Sequence, residues 1–503
     1  MNIAPVRLGG GLDLATPSTA LDPGLLVVGA NVECKRRGGY RRILGYTKFD
    51  ATEVPGEGNV LGVWLYDNKV YAFRNAIGGL TAAMHESTGS GWTTVKTGLA
   101  PDGQYEFVNY AFARTEKMYG VSGVHKAFEW DGTTWTDITT GITAGAGDKP
   151  THIIAHRKHL FLSFQKTIQN SGIGDPHSWT LASGANERVM NNYVSGFAKL
   201  PNGTLGIFSE TEIVILAGTS AADWTAEEMS EYGNNAGAVA GSIQMMGSTV
   251  RFMDSRGVTD LMASQKSSDF EDSIISTAVD DLIKGKSRSI TATTVVRAKN
   301  QYRIFFEDGT GLIFVFNAEG VPMITQLRFP HLVNCVVNGE DNNGIERIYF
   351  GSDDGYIREM ESGNSFDGGT ILAIAETAYT NLKMPSQVKR FRRLRADLKA
   401  DGVVNITAKA NFFIGAIGLP RPSDQAIELE EAASLVLQDS SAVLGLASLG
   451  GTRLGGTPIN EGSIELDGRG DYANFRFLSN SNDEPAWELD GITIEYLPGK
   501  QRR

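Results

Sequence analysis

The chain has 503 residues, 41% of them hydrophobic, and a formal net charge of −12 at pH 7. That length exceeds one ordinary core, so two or three domains or a repeat architecture are expected. The acidic balance excludes a non-specific nucleic-acid coat, because phosphate binding needs a positive surface.

Two cysteines, Cys34 and Cys335, rule out a disulfide framework and a CxxC zinc site. No run approaches the ~18 apolar residues of a membrane span. Met1 to Leu14 lacks a basic segment followed by an apolar one, so no signal peptide is read and a reducing compartment is expected. Glycine (59) far outnumbers proline (16), which favours many tight turns between short strands.

In chain order, residues 1–57 read as an extended N-terminal arm. It is irregular from Gly9-Gly10-Gly11 through Asp22-Pro23-Gly24 and then carries the basic cluster Lys35, Arg36, Arg37, Arg41 and Arg42. From residue 58 a unit recurs at roughly 30 to 45 residues, the period of radially repeated β-sheets. Leu61 to Tyr66, a turn at Asp67-Asn68 and Val70 to Phe73 form its first hairpin by turn chemistry. The later copies begin at Val108 to Phe112, His152 to Ala155, Gly196-Phe197, Val250 to Met253, Gln301 to Phe306 and Arg347 to Phe350. Three or four strands per copy, repeated six or seven times over 58–377, predict an all-β fold built on a β-propeller of six or seven blades. One short helix is expected after an N-cap at Ser276, with Val279, Leu282 and Ile283 on one face and Gly285 closing it.

Residues 378–503 read as a separate C-terminal β-domain of sandwich or barrel type. It opens on a second basic cluster, Lys389, Arg390, Arg392, Arg393 and Arg395, and closes on the alternating Tyr472 to Phe477 and Gly491 to Tyr496. Within it, loop 443–456 carries Leu444, Leu446, Leu449 and Leu454 among glycines, a composition suited to packing on a neighbour or lining a constriction. The two basic clusters are either solvated strand faces or docking surfaces for an acidic patch on another subunit, with charge setting register.

No catalytic, cofactor or metal site is expected, and the chain is read as not an enzyme. His152, His156 and His159 lie close in sequence without a carboxylate cluster and read as partly exposed strand residues. Gly285-Lys286-Ser287 has Asp280 where a phosphate loop needs glycine. Asp131-Gly132 lacks the intervening residue of a sialidase Asp-box, and Arg469-Gly470-Asp471 is explained by a turn. A carbohydrate- or receptor-binding propeller using Trp92 and Trp135 stands as the alternative function.

Several stretches together resemble the tail hub or nozzle proteins of short-tailed bacteriophages. They are Leu8 to Gly11, Gly45-Tyr46, Ser171 to Trp179, Gln387 to Asp397 with Gly402 to Ala408, and Phe475 to Phe477 with Gly491 to Tyr496. The resemblance implies a structural subunit of a virion tail, made in the bacterial host cytoplasm and assembled into a homo-hexameric ring. Such a ring extends the DNA channel below the portal, attaches to the adaptor (head–tail connector) protein, and carries fibre or spike proteins. DNA passes through it without sequence-specific binding, and the 443–456 loop becomes the candidate constriction.

Overall fold

The computed structural model describes residues 1–141, 147–220, 222–228, 237–261, 274–415, 419, 433–437 and 460–501. Among the described residues seven antiparallel sheets stand around one axis, which sets the blade number at the upper expectation. Blades one to four are four-stranded and run from Glu57–Tyr66 to Trp92–Leu99, Glu106–Tyr110 to Trp135–Asp137, Ile153–His156 to Asn186–Val189, and Val194–Lys199 to Thr225–Glu228. Blade five has three described strands, Gln244–Met246, Thr249–Met253 and Val258–Asp260. Blade six runs from Ile290–Val296 to Pro322–Arg328, and blade seven from Cys335–Glu340 to Ile357–Met360. The first strands of successive blades neighbour one another in order, and that of the seventh returns to that of the first.

Blades stack because neither face of a four-stranded sheet is self-sufficient, and neighbouring sheets cover each other. Separate apolar clusters fill most of the gaps. Tyr71, Phe73, Met118 and Phe128 lie between blades one and two, with Phe73 stacked on Tyr105 at 4.1 Å. Phe161, Ile168, Ile207 and Leu216 lie between three and four, and Val63, Ala72, Val337 and Tyr349 between seven and one. The hairpin read at Asp67-Asn68 is a two-residue turn with both residues at positive φ (47° and 59°), the geometry that matches strand twist.

The outermost strand of blade seven comes from the other end of the chain. Tyr46–Lys48 pairs antiparallel with Arg358–Met360, closing the ring with residues some 310 positions away. Tyr46 anchors this closure among Phe329, Phe350 and Phe366, with ring centroids 5.0–5.1 Å away, and its hydroxyl lies 2.8 Å from His331 Nδ1. Gly45 allows it, since a Cβ there would sit 1.8 Å from the Ser365 carbonyl oxygen. Gly45→Ala is therefore expected to lower stability by about 1–3 kcal/mol, because the obstacle is backbone and cannot rotate away. A urea midpoint unchanged from the parent protein would refute that.

The segment expected to be an extended arm is thus built into both modules. Asn2–Arg7 pairs with Trp487–Gln501; Val32–Cys34 and Tyr40–Arg42 join the same sheet, which continues through Gln387–Ala400 to Asn460–Gly470. A second sheet runs Leu26–Ala30, Ile371–Thr377, Tyr472–Ser481, Val404–Phe413, Ala433–Leu437. The two sheets face each other as a sandwich: Phe391 packs on Phe412 (4.9 Å), and the Trp487 indole donates to Ser479 Oγ at 2.7 Å. Ile371–Thr377 belongs to this sandwich, so the propeller strands end at Met360 and not near 377.

Leu26–Ala30 also touches Pro322–Arg328 of blade six through the parallel bridge Ala30↔Gln326, making blade six and the sandwich one continuous nine-stranded sheet. Asn31, at φ 52°, turns the chain from one sandwich sheet to the other. Its amide donates to the Leu372 carbonyl (3.0 Å) and accepts from the Arg328 N–H (2.8 Å). The expected helix reduces to a 3-10 turn, Thr277–Val279, and one α-turn, Asp280–Ile283. Val279 and Ile283 are buried and Leu282 is half-buried, Gly285 has φ 79°, and Ser276 accepts from the Val258 N–H instead of capping.

Candidate functional site

The ten basic residues singled out from the sequence divide into two groups. Four are internal fasteners. Lys35 is held by Glu488 (2.5 Å) and Asp490 (2.8 Å) across the sandwich sheet. Arg41 bonds the buried Glu33 through Nε at 2.7 Å. Arg42 is 1% exposed and donates to the backbone carbonyls of Glu484 and Asn364. Lys389 is fully buried, its ammonium shared among the carbonyls of Met384, Gln387 and Asp471 at 2.7–3.0 Å. Burial pushes its pKa down to about 8 against the pull of the Asp471 carboxylate. A partner has no access to Arg42 or Lys389, so the docking reading does not hold for them.

Arg36 and Arg37 remain exposed on the hairpin turn between Cys34 and Tyr40. The remaining residues form one surface. Along Gln387–Ala400, Phe391, Leu394, Ala396 and Leu398 face the sandwich core. The register shifts between Phe391 and Arg393 against both neighbouring strands, a bulge that lets Arg392 and Arg393 leave on the outer side together. Arg390 reaches Asp467 (3.4 Å), Arg393 reaches Glu465 (3.8 Å) and Arg395 reaches the buried Glu495 (2.7 Å). Asp467 and Glu465 are largely exposed, so their pairs are worth about 0–1 kcal/mol each and yield readily to a competing partner. Arg390, Arg392 and Arg393 border a groove of about 610 Å³ closed by Met1, Leu466 and Leu497. Leu444, Leu446, Leu449 and Leu454, with the whole 443–456 loop, lie outside the described residues.

A second concavity, about 760 Å³, opens at one end of the propeller axis. Trp64, Gln244, Thr294 and Asn338 line it, each standing two residues before the end of the first strand of its blade, with Glu116, Arg297 and Glu340 at the rim. Trp64 is fixed by an indole hydrogen bond to Asn109 Oδ1 (2.8 Å) and stacking on Phe107; Arg297 pairs with Glu340 at 2.7 Å. The sequence reading missed this mouth. Aligning the copies on the ends of their first strands, instead of on their apolar alternation, is the signal that finds it.

The three histidines are buried, not partly exposed. His152 lies 2.7 Å from Glu106, tying blade three to blade two. Arg157-Lys158 forms a tight turn that sets His156 directly across from His159, so these two share a face. Among the described residues no group of three or more metal-ligating side chains occurs. Lys286 pairs with Asp308 at 2.8 Å. Asp471 of the Arg-Gly-Asp tripeptide is buried and accepts from the Gly415 N–H, so that tripeptide is not presented. Trp92 packs near Phe49 with its indole bonded to the Thr52 carbonyl, and Trp135 stacks on Phe128 at 3.8 Å.

No protein-family model matches the chain, and no curated protein matches it. Solved structures do. A streptogramin B lyase is 12% identical, over 63% of this chain and 97% of its own, with a TM-score of 0.42. Virginiamycin B lyase from Staphylococcus aureus is 12% identical over 61% and 97%, with a TM-score of 0.40. The protein U3-55K is 6% identical over 62% and 99%, with a TM-score of 0.43. These matches correct the expectation that the chain is not an enzyme: lyases stand among the structures it resembles. At such identities no reaction passes from them to this chain.

Proposed function

We propose that the chain is a ring-forming structural subunit of a bacteriophage tail, the hub or nozzle that its sequence resembles. One observation carries the reading: the first 48 residues complete both modules, so propeller and sandwich are joined by continuous hydrogen-bonded sheet and not by a linker. A wall segment that must keep its shape under load is served by that construction, since relative domain motion is the default for modules joined by small polar interfaces. The outer sandwich face supplies a contact for a neighbour. Arg390 and Arg393 are held by exposed carboxylates that an acidic partner surface can replace, which sets register more than affinity. The net charge of −12 suits a lumen that DNA passes without being held.

The test is assembly. Negative-stain images and mass photometry of the 54.2 kDa protein, alone and with the adaptor, are expected to give closed rings near six-fold. Monomers alone at high concentration, with the adaptor present, overturn the reading. Replacing Arg390, Arg392 and Arg393 together by Ala is expected to lower ring yield and flatten its salt dependence with circular dichroism unchanged. Equal yield and equal salt dependence would make that face an ordinary solvated one.

A further inference from the structure

We infer that the cleft between the third and fourth blades binds a single pyranose residue of a glycan. The cleft measures about 170 Å³, close to the ~150 Å³ that accommodates one six-membered ring. Its floor is apolar, made by Phe161, Ile168, Ile207 and Leu216 of the inter-blade cluster.

Trp224 forms one wall and is held before any ligand arrives. Asp223 accepts hydrogen bonds from the N–H groups of Thr219 and Ser220, closing the turn that delivers Trp224. The indole stands edge-on to His159 at 4.8 Å and 5.3 Å from Phe161. A fixed aromatic wall over an apolar floor favours a ligand with C–H faces, and it does so with little ordering cost.

The rim decides the chemistry. Asn170 donates its amide to the carbonyls of Ser171 and Gly184, leaving Oδ1 without a partner among the described residues. Asn186 uses only its Oδ1, on the Glu187 N–H, so its NH₂ is uncommitted there. Glu187 pairs with Gln169 and shares that residue's face of the blade, turned away from the cleft. Arg188 is exposed and has no hydrogen bond or ion pair among the described residues. The opening is thus bordered by one acceptor, Asn170 Oδ1, and two donors, the Asn186 amide and the Arg188 guanidinium. An anion would want donors alone and a cation acceptors alone. A neutral ring bearing several hydroxyls, each both donor and acceptor, uses both sets. The site is distinct from the arginine face, and the inference is independent of the ring reading, since it is measured on monomer and ring alike.

Saturation-transfer NMR of the full chain with free hexoses, N-acetylhexosamines and deoxyhexoses tests it. One class is expected to show saturable transfer. Arg188→Ala, at an exposed position, should weaken it about tenfold, the loss of a hydrogen bond from a charged donor. Trp224→Ala should abolish it, while Trp224→Phe keeps part. Absence of transfer from every sugar, transfer unaffected by Arg188→Ala and Trp224→Phe alike, or saturable binding of phenol with no sugar binding would each overturn the proposal.

Discussion

Deleting residues 1–45 is expected to leave no cooperatively folded protein. The deletion removes the edge strand Asn2–Arg7, the strand Leu26–Ala30 that links blade six to the sandwich, and the hairpin Val32–Cys34 with Tyr40–Arg42. Leu8, Leu12, Leu26, Val32, Tyr40 and Ile43 leave the largest core with them. At about 1.5–3 kcal/mol for each large buried side chain, the loss is on the order of 10 kcal/mol. That is comparable to the whole stability of a typical domain, about 5–15 kcal/mol. The extended arm read from a stretch rich in glycine and charge would predict the reverse, a folded propeller that merely assembles poorly. Soluble expression and a calorimetric scan decide between them. A truncated protein with the parent's sharp transition would mean that the arm is dispensable to folding.

What was legible in the sequence was local. Asp67-Asn68 between two alternating runs specifies its hairpin, because Asp and Asn tolerate the positive φ that a two-residue turn demands. Arg157-Lys158 makes the same turn with residues that carry no such signature, so the pairing of His156 with His159 is not legible in the sequence. The seventh blade was countable from Arg347 to Met360, whereas its last strand was not. Tyr46–Lys48 is three residues long, and its partner lies across nearly the whole chain. Charge was visible and its role was not: Lys389 and Arg393 stand four apart in one basic run, where strict alternation puts both on one face, yet Lys389 is buried among carbonyls and Arg393 faces outward, because the bulge between Phe391 and Arg393 shifts the alternation by one. The cleft at Trp224 is assembled from two blades, and no window of sequence contains it.

The charged seam between the N-terminal strands and blade six gives the second large effect. Glu33 is 1% exposed and accepts from Arg41, Lys299 (2.8 Å) and Gln301 (2.7 Å), with Arg303 at 3.5 Å; Lys299 and Arg303 also bond Glu361. Burial works against the ionised carboxylate, but the charges of Lys299, Arg41 and Arg303 and the Gln301 hydrogen bond outweigh it. They hold the pKa at about 2, below the usual 4.5. A folded-state pKa below the unfolded one means that the contribution is fully present above pH 4.5 and is lost as pH falls toward 2. Glu33→Gln keeps the shape and removes the charge, leaving buried cations short of a partner, at an expected cost of about 3–5 kcal/mol. The variant should also lose part of the parent's decline in stability between pH 4.5 and 2, since the group responsible for that part no longer titrates. Urea denaturation at neutral pH and across the acid range reads both quantities. A Glu33→Gln protein of parental stability and parental acid slope would show that the seam is held by its apolar contacts, with the ion cluster adding nothing.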